Sequence, residues 1–211
     1  MIKLNKGPEP KILQDNGVRW AKELMDDFAL NNVLNKKLQK KYNHPQVKDA
    51  VETETSGKCA YCESNVSHVY PGDIEHIIAK SEVPQKTFLW ENLTYCCFEC
   101  NNKKRAYHDD AYPLINPYIY NIDEHLIPIG PLYFSVRGST RGELTKININ
   151  LNREEIVGRR REKIEELQKY ILAYHREQVN SLKDEMLLEM EDFIKRSEFS
   201  NTLQKVFMQC V

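Results

Sequence analysis

Residues 59–104 read CAYCESNVSHVYPGDIEHIIAKSEVPQKTFLWENLTYCCFECNNKK. The stretch opens with Cys59-Ala60-Tyr61-Cys62 and closes with Cys97-Phe98-Glu99-Cys100, two C-x2-C knuckles with 34 residues between them. Thiolates paired this way suit tetrahedral Zn2+, and four of them close the coordination sphere and leave no position for a substrate. The expected zinc is therefore structural: it pins two loops together and supplies folding energy to a small core. Five of the six cysteines fall between Cys59 and Cys100, and in a reducing compartment such clustering points to metal rather than to disulfides. Cys96 competes with Cys97 for one ligand place, and the C-x2-C spacing favours Cys97. Cys210 reads as a free thiol. The gap between the knuckles is longer than a minimal zinc ribbon needs, so an insert between them carries the chemistry.

The insert contains Asp73-Ile74-Glu75-His76-Ile77-Ile78 and then Trp90-Glu91-Asn92-Leu93. Extended pieces are expected around Asp73–Ile78 and Leu89–Tyr95. A helix is expected to start near Cys97–Asn101 and run through Lys103-Lys104-Arg105. Histidine suits proton abstraction because its pKa lies near working pH. Glutamate and asparagine are hard oxygen donors, which fit Mg2+ or Mn2+ better than zinc. One point is awkward. Adjacent strand residues point to opposite faces, so Glu75 and His76 serve one site only if the strand bends or ends there; otherwise Asp73 supplies the carboxylate. Lys104 and Arg105 read either as phosphate contacts or as solvated surface. His68, His108 and His125 have no place in the pattern and read as surface or structural.

Taken in order, C-x2-C, acidic-His, Asn-Leu and C-x2-C-Asn-x2-Lys resemble the HNH endonucleases over about residues 57–105. That resemblance implies a ββα-metal core set in a zinc-bound frame. It also implies metal-dependent hydrolysis of nucleic-acid phosphodiesters. His76 would be the general base, with Glu75 and Asn101 as ligands of a catalytic Mg2+ or Mn2+. Asn92 would orient His76 by hydrogen bonding and hold the loop. Cys59-Ala60-Tyr61-Cys62-Glu63, Trp90-x-Asn92-Leu93, Leu114-Ile115-Asn116-Pro117 and Leu151-Asn152-Arg153 are similar to a bacterial HNH subfamily that includes the PtuB nuclease of Septu-type and retron-linked anti-phage systems. This second resemblance implies a companion PtuA-like ATPase. In a retron-linked version a reverse transcriptase with its RNA–DNA product would join the complex.

Outside the insert the expected fold class is α+β, with mainly helical segments flanking the core. Three parts are expected: an N-terminal helical segment over 1–55, the core over 56–110, and a C-terminal segment over 111–211 that is extended and then helical. Trp20, Leu24 and Phe28 line one helix face. The Lys36-Lys37 and Lys40-Lys41 pairs read as a solvated face or a phosphate-binding stripe, and Asn43-His44-Pro45 as a breaker. Ile127-Pro128-Ile129, Leu132-Tyr133-Phe134 and Ile147-Asn148-Ile149-Asn150-Leu151 read as extended. Asn152 with Glu155 reads as a capping box. Ile164, Leu167, Ile171 and Tyr174 form one apolar stripe, and Leu182, Met186, Met190 and Phe193 another. These flanks are candidates for docking on a partner.

The chain of 211 residues carries 30 Lys+Arg against 31 Asp+Glu, a net charge of −1. That balance excludes a polybasic chain that holds nucleic acid by bulk charge. No apolar run approaches a membrane span, and Met1–Lys6 lacks the apolar region of a signal peptide, so the expectation is a soluble cytoplasmic protein. Residues 56–110 hold six Lys+Arg and eight Asp+Glu, so even the core is not basic. Weak, salt-sensitive cleavage by the chain alone is expected, with a partner supplying the binding surface. The competing reading is a non-catalytic zinc scaffold, which would need only the four cysteines. A zinc-dependent transcription regulator ranks lower, because no recognition helix stands out. DNA and RNA, tRNA included, are both chemically open as substrates.

Overall fold

Three helices form the N-terminal part of the computed structural model, which describes residues 1–66 and 70–211. Helix α1 (Lys11–Asn31) starts behind Pro10 and buries Leu13, Gly17 and Leu24 on one face. Trp20, on the same helix, meets Phe88 edge to face with ring centroids 5.7 Å apart. Helix α2 (Lys36–Gln39) is capped by the Asn35 side chain. Helix α3 (Pro45–Thr55) begins where the expected breaker lies: His44 accepts from the Gln46 amide, and Pro45 fills the first turn. A proline there loses nothing, because its missing N–H would have had no partner inside the helix. Val47, Val51 and Thr55 recur every fourth residue and are buried.

The first cysteine knuckle follows α3, and then come strands β1 (Asp73–His76) and β2 (Leu93–Cys96). They pair antiparallel, with Asp73 opposite Cys96, Ile74 opposite Tyr95, Glu75 opposite Thr94 and His76 opposite Leu93. Gly72 enters β1 at φ +70°, and a Cβ there would sit 2.5 Å from the Tyr95 ring. Both conditions require glycine. Between the strands the chain makes two 3-10 turns, Pro84–Lys86 and Trp90–Asn92. Helix α4 (Phe98–Lys104) then packs back against β1, completing a β-β-α unit.

Beyond it lies a hairpin of β3 (Leu126–Ile129) and β4 (Leu132–Ser135). The next apolar run corrects the reading from sequence: Ile147–Ile149 is not extended but closes helix α5 (Thr140–Ile149). Alternating Ile-Asn over so few residues fits either period. What decides is the Ser139 side chain accepting from the Gly142 amide, and the burial of Gly142, Thr145 and Ile149 on one helical face. Helix α6 (Glu154–Arg176) is capped by the Arg153 backbone and not by a capping box. Asn152 instead bridges to β4, accepting from Tyr133 N at 2.8 Å and donating to Tyr133 O at 2.8 Å. Helices α7 (Asn180–Arg196) and α8 (Ser200–Cys210) complete the chain.

Two apolar cores result among the described residues. The larger joins Met1, α1, α3, the β-β-α unit, the hairpin and Phe199. The smaller gathers Ile164, Leu167, Ile171, Met190, Ile194 and Leu203 from α6, α7 and α8. The first C-terminal stripe thus packs within the chain, whereas Leu182 of the second is exposed. No helix among the described residues is long and apolar enough to cross a membrane.

Candidate active site and metal centre

The ligand atoms of Cys59, Cys62, Cys97 and Cys100 all lie within 4.8 Å of one another. Cys62 and Cys97 sulfurs are 3.8 Å apart, which is about the edge of a tetrahedron with 2.3 Å metal–sulfur bonds. This four-cysteine cluster is able to bind zinc. Cys97 also caps α4, its sulfur accepting from the Cys100 amide at 3.5 Å. Cys96, buried in β2, lies outside the cluster, and burial raises its thiol pKa. The choice between Cys96 and Cys97 is therefore settled by strand geometry: the residue that ends β2 turns away from the residue that starts the knuckle.

Alternation along β1 sets the rest. Asp73 and Glu75 share one face, and α4 lies against that strand. Two rungs connect them. Asn101 donates from Nδ2 to Asp73 Oδ2 at 2.9 Å, and Lys104 pairs with Glu75 at 2.7 Å. Strand positions two apart thus meet helix positions three apart, which is how the two periods come into register. Asp73 also accepts from Tyr70 Oη at 3.0 Å. An open cleft of about 530 Å³ borders Asp73 and Asn101, with Tyr42, His44 and Lys48 along its wall.

Lys104 is the clearest departure from expectation. It is neither a phosphate contact nor solvated surface but only 2 % exposed. Its ammonium bonds Glu75 and the His76 carbonyl oxygen, the latter at 2.8 Å. Glu75 is 6 % exposed. Burial pushes its carboxyl pKa up, against the pull of Lys104 downward. Arg105 is exposed.

His76 is buried on the opposite face of β1. Its Nε2 lies 2.9 Å from the Thr87 carbonyl oxygen, so that nitrogen carries the proton and Nδ1 holds the lone pair. The ring meets Tyr42 edge to face with centroids 4.5 Å apart. Burial, and then the nearby Lys80 charge, lower its pKa to about 3. Lys80 donates to Tyr42 Oη at 3.1 Å.

Asn92 does not reach His76. It accepts from Ile78 N at 2.7 Å and donates to Ile78 O at 3.0 Å and Lys86 O at 3.1 Å. These bonds staple the end of β1 to the loop that presents the Thr87 carbonyl. Asn92 therefore holds the loop, as expected, while the bond that orients the imidazole comes from Thr87.

Sequence reasoning missed Thr87, Tyr42 and Lys80 as neighbours of the imidazole. A backbone carbonyl leaves no residue-type signal, and Tyr42 comes from a helical segment outside the motif. Among the other histidines, His125 bonds Ser139 at 2.8 Å and His108 pairs with Asp110 at 3.5 Å. His68 lies outside the described residues.

Residues 59–106 match the model of the HNH endonuclease family. The match spans both knuckles, β1, β2 and α4, so the chain is a mixed helix-and-strand protein that carries an HNH domain between helical flanks. No curated protein matches the chain.

Proposed function

We propose that the protein is a metal-dependent endonuclease that hydrolyses nucleic-acid phosphodiesters at the β1–α4 site. The observation that carries this reading is the match of residues 59–106 to the HNH endonuclease family model, with a neutral His76 ring held by Thr87 on one face of β1 and oxygen donors from Asp73, Glu75 and Asn101 on the face that meets α4. His76 would take a proton from the attacking water. Asn92 keeps the loop in place so that the imidazole does not rotate. Asn101 with Glu75 and Asp73 would hold Mg2+ or Mn2+, which when bound supplies countercharge for the phosphate and eases departure of the leaving oxygen. The donor set is all oxygen, which suits these hard ions. Lys104 steadies the Glu75 carboxylate. The cleft along Asp73 and Asn101 is the route for the phosphodiester backbone.

The resemblance in motifs outside the core, together with the near-neutral charge, supports a finer reading. The chain would be the toxic effector subunit of a bacterial anti-phage complex with a PtuA-like ATPase, joined in retron-linked systems by a reverse transcriptase and its RNA–DNA product. The competing role is a zinc scaffold in such a complex, with no cleavage. Phage-protection assays with His76→Ala separate the two: the effector reading expects loss of protection, and a scaffold would keep it. Co-expression and co-purification with a PtuA-like ATPase tests the partner, and absence of a complex contradicts it.

A further inference from the structure

One side of the four-cysteine cluster is closed by a residue from far along the chain. Arg153 donates from Nη1 to Cys100 Sγ at 3.6 Å, and from Nη2 to Cys62 Sγ at 3.6 Å and Cys97 Sγ at 3.9 Å. Its Nη1 also bonds the Asn150 carbonyl oxygen at 3.3 Å. A planar guanidinium can address several acceptors at once, which a lysine cannot. The position is otherwise unfavourable. Arg153 sits at the N-terminus of α6, where the helix dipole repels a cation. Three sulfurs supply the compensating negative charge. A divalent ion on four thiolates carries a net charge of −2, so N–H···S donation from a permanent cation opposes both ligand protonation and metal loss.

The same knuckle is gripped by the C-terminal helices on its other sides. Lys58 donates to the carbonyl oxygens of Lys195 at 3.0 Å and Ser197 at 2.6 Å, ending α7. Glu63 accepts from Ser200 Oγ at 3.0 Å and the Asn201 amide at 3.1 Å, starting α8. Glu198 accepts from the Asn65 amide and from Arg159. Residues flanking Cys59 and Cys62 therefore hold the turn between α7 and α8, while Arg153 brings α6 onto the sulfurs.

We propose that Arg153 is an outer-sphere partner of the metal bound by Cys59, Cys62, Cys97 and Cys100, and that it couples occupancy of that site to the seating of α6–α8. The inference rests on the zinc-binding reading of the cluster and not on nuclease activity.

The test uses the zinc-loaded full chain and measures zinc transfer to a chromogenic chelator. Arg153→Gln is expected to release zinc roughly 10–100-fold more readily, the usual effect of removing an outer-shell partner. Arg153→Lys, which keeps the charge but loses the fork, should fall between. Arg159→Gln breaks the contact of α6 with Glu198 without touching sulfur and should retain zinc like the parent. Hydrogen exchange adds a second readout: chelating zinc from the parent should raise exchange in α6–α8, and zinc-loaded Arg153→Gln should show part of that rise. Parental zinc retention by Arg153→Gln overturns the inference, and so does an Arg159→Gln protein that loses zinc as readily as Arg153→Gln. If Arg153→Gln does not fold, Arg153→Lys and Arg159→Gln decide it by the same comparison. A parent that binds no zinc overturns the zinc reading itself.

Discussion

The His76 imidazole is fixed by the Thr87 backbone: Nε2 lies 2.9 Å from the carbonyl oxygen. A carbonyl only accepts, so the bond selects the tautomer with the proton on Nε2 and the lone pair on Nδ1. Nitrogen-15 spectra of the imidazole at pH 7 should show a neutral ring protonated at Nε2. A ring protonated at Nδ1, or a doubly protonated one, contradicts the proposed base.

Asn92 holds the loop that carries this carbonyl through three hydrogen bonds, to Ile78 N, Ile78 O and Lys86 O. Asn92→Ala leaves half-buried backbone groups of Ile78 and Lys86 without partners, at a cost of about 2–4 kcal/mol. Urea denaturation should show that loss, and cleavage should fall although Asn92 never touches the imidazole. An Asn92→Ala protein of parental stability contradicts the stapling role.

Lys104 and Glu75 form a buried pair at 2.7 Å. Removing one partner strands the other, so Lys104→Met should destabilise the fold by about 3–5 kcal/mol. Glu75→Gln should cost less, because Lys104 keeps the His76 carbonyl oxygen as an acceptor. Equal, small effects from both substitutions contradict the buried geometry.

His76 also shapes acid stability. Its folded pKa is lowered to about 3, mainly by burial, whereas a histidine in the unfolded chain titrates near 6.5. Between those values the unfolded chain binds a proton that the folded chain refuses, so stability falls as pH drops below 6.5. The contribution at pH 5.5, relative to pH 8, is about 1.4 kcal/mol. His76→Gln should lose less stability than the parent over that interval, by about this amount, in matched urea denaturations. Identical pH slopes contradict a buried, neutral His76.

The cysteine knuckles were legible because metal ligation fixes residue type and spacing together. The β-β-α order followed from what lies between them. Less could be read where the outcome depends on which face a residue occupies. Lys104 sits in the run Lys103-Lys104-Arg105, which looks like surface, yet its position three residues after Asn101 on α4 turns it inward to Glu75. Asp73 was only an alternative carboxylate, and it is the one Asn101 meets. Ile147-Asn148-Ile149 alternates like a strand, but Ser139 and the close approach of Gly142 to His125 commit that segment to helix. Asn152 had the right type for a helix cap and instead bonds Tyr133 across the hairpin. Arg153 stands in the Leu151-Asn152-Arg153 motif, but its role gave no signal, because the cysteines it meets lie 53 to 91 positions earlier in the chain.

The central claim is that His76 performs metal-dependent phosphodiester hydrolysis. Its most direct test is a cleavage assay at low ionic strength, comparing the parent with His76→Ala, with and without Mg2+ or Mn2+, while zinc content is measured on the same samples. The account predicts ion-dependent cleavage by the parent with 5′-phosphate and 3′-hydroxyl ends, and none by His76→Ala at unchanged zinc content. Cleavage by His76→Ala at the parental rate would contradict it.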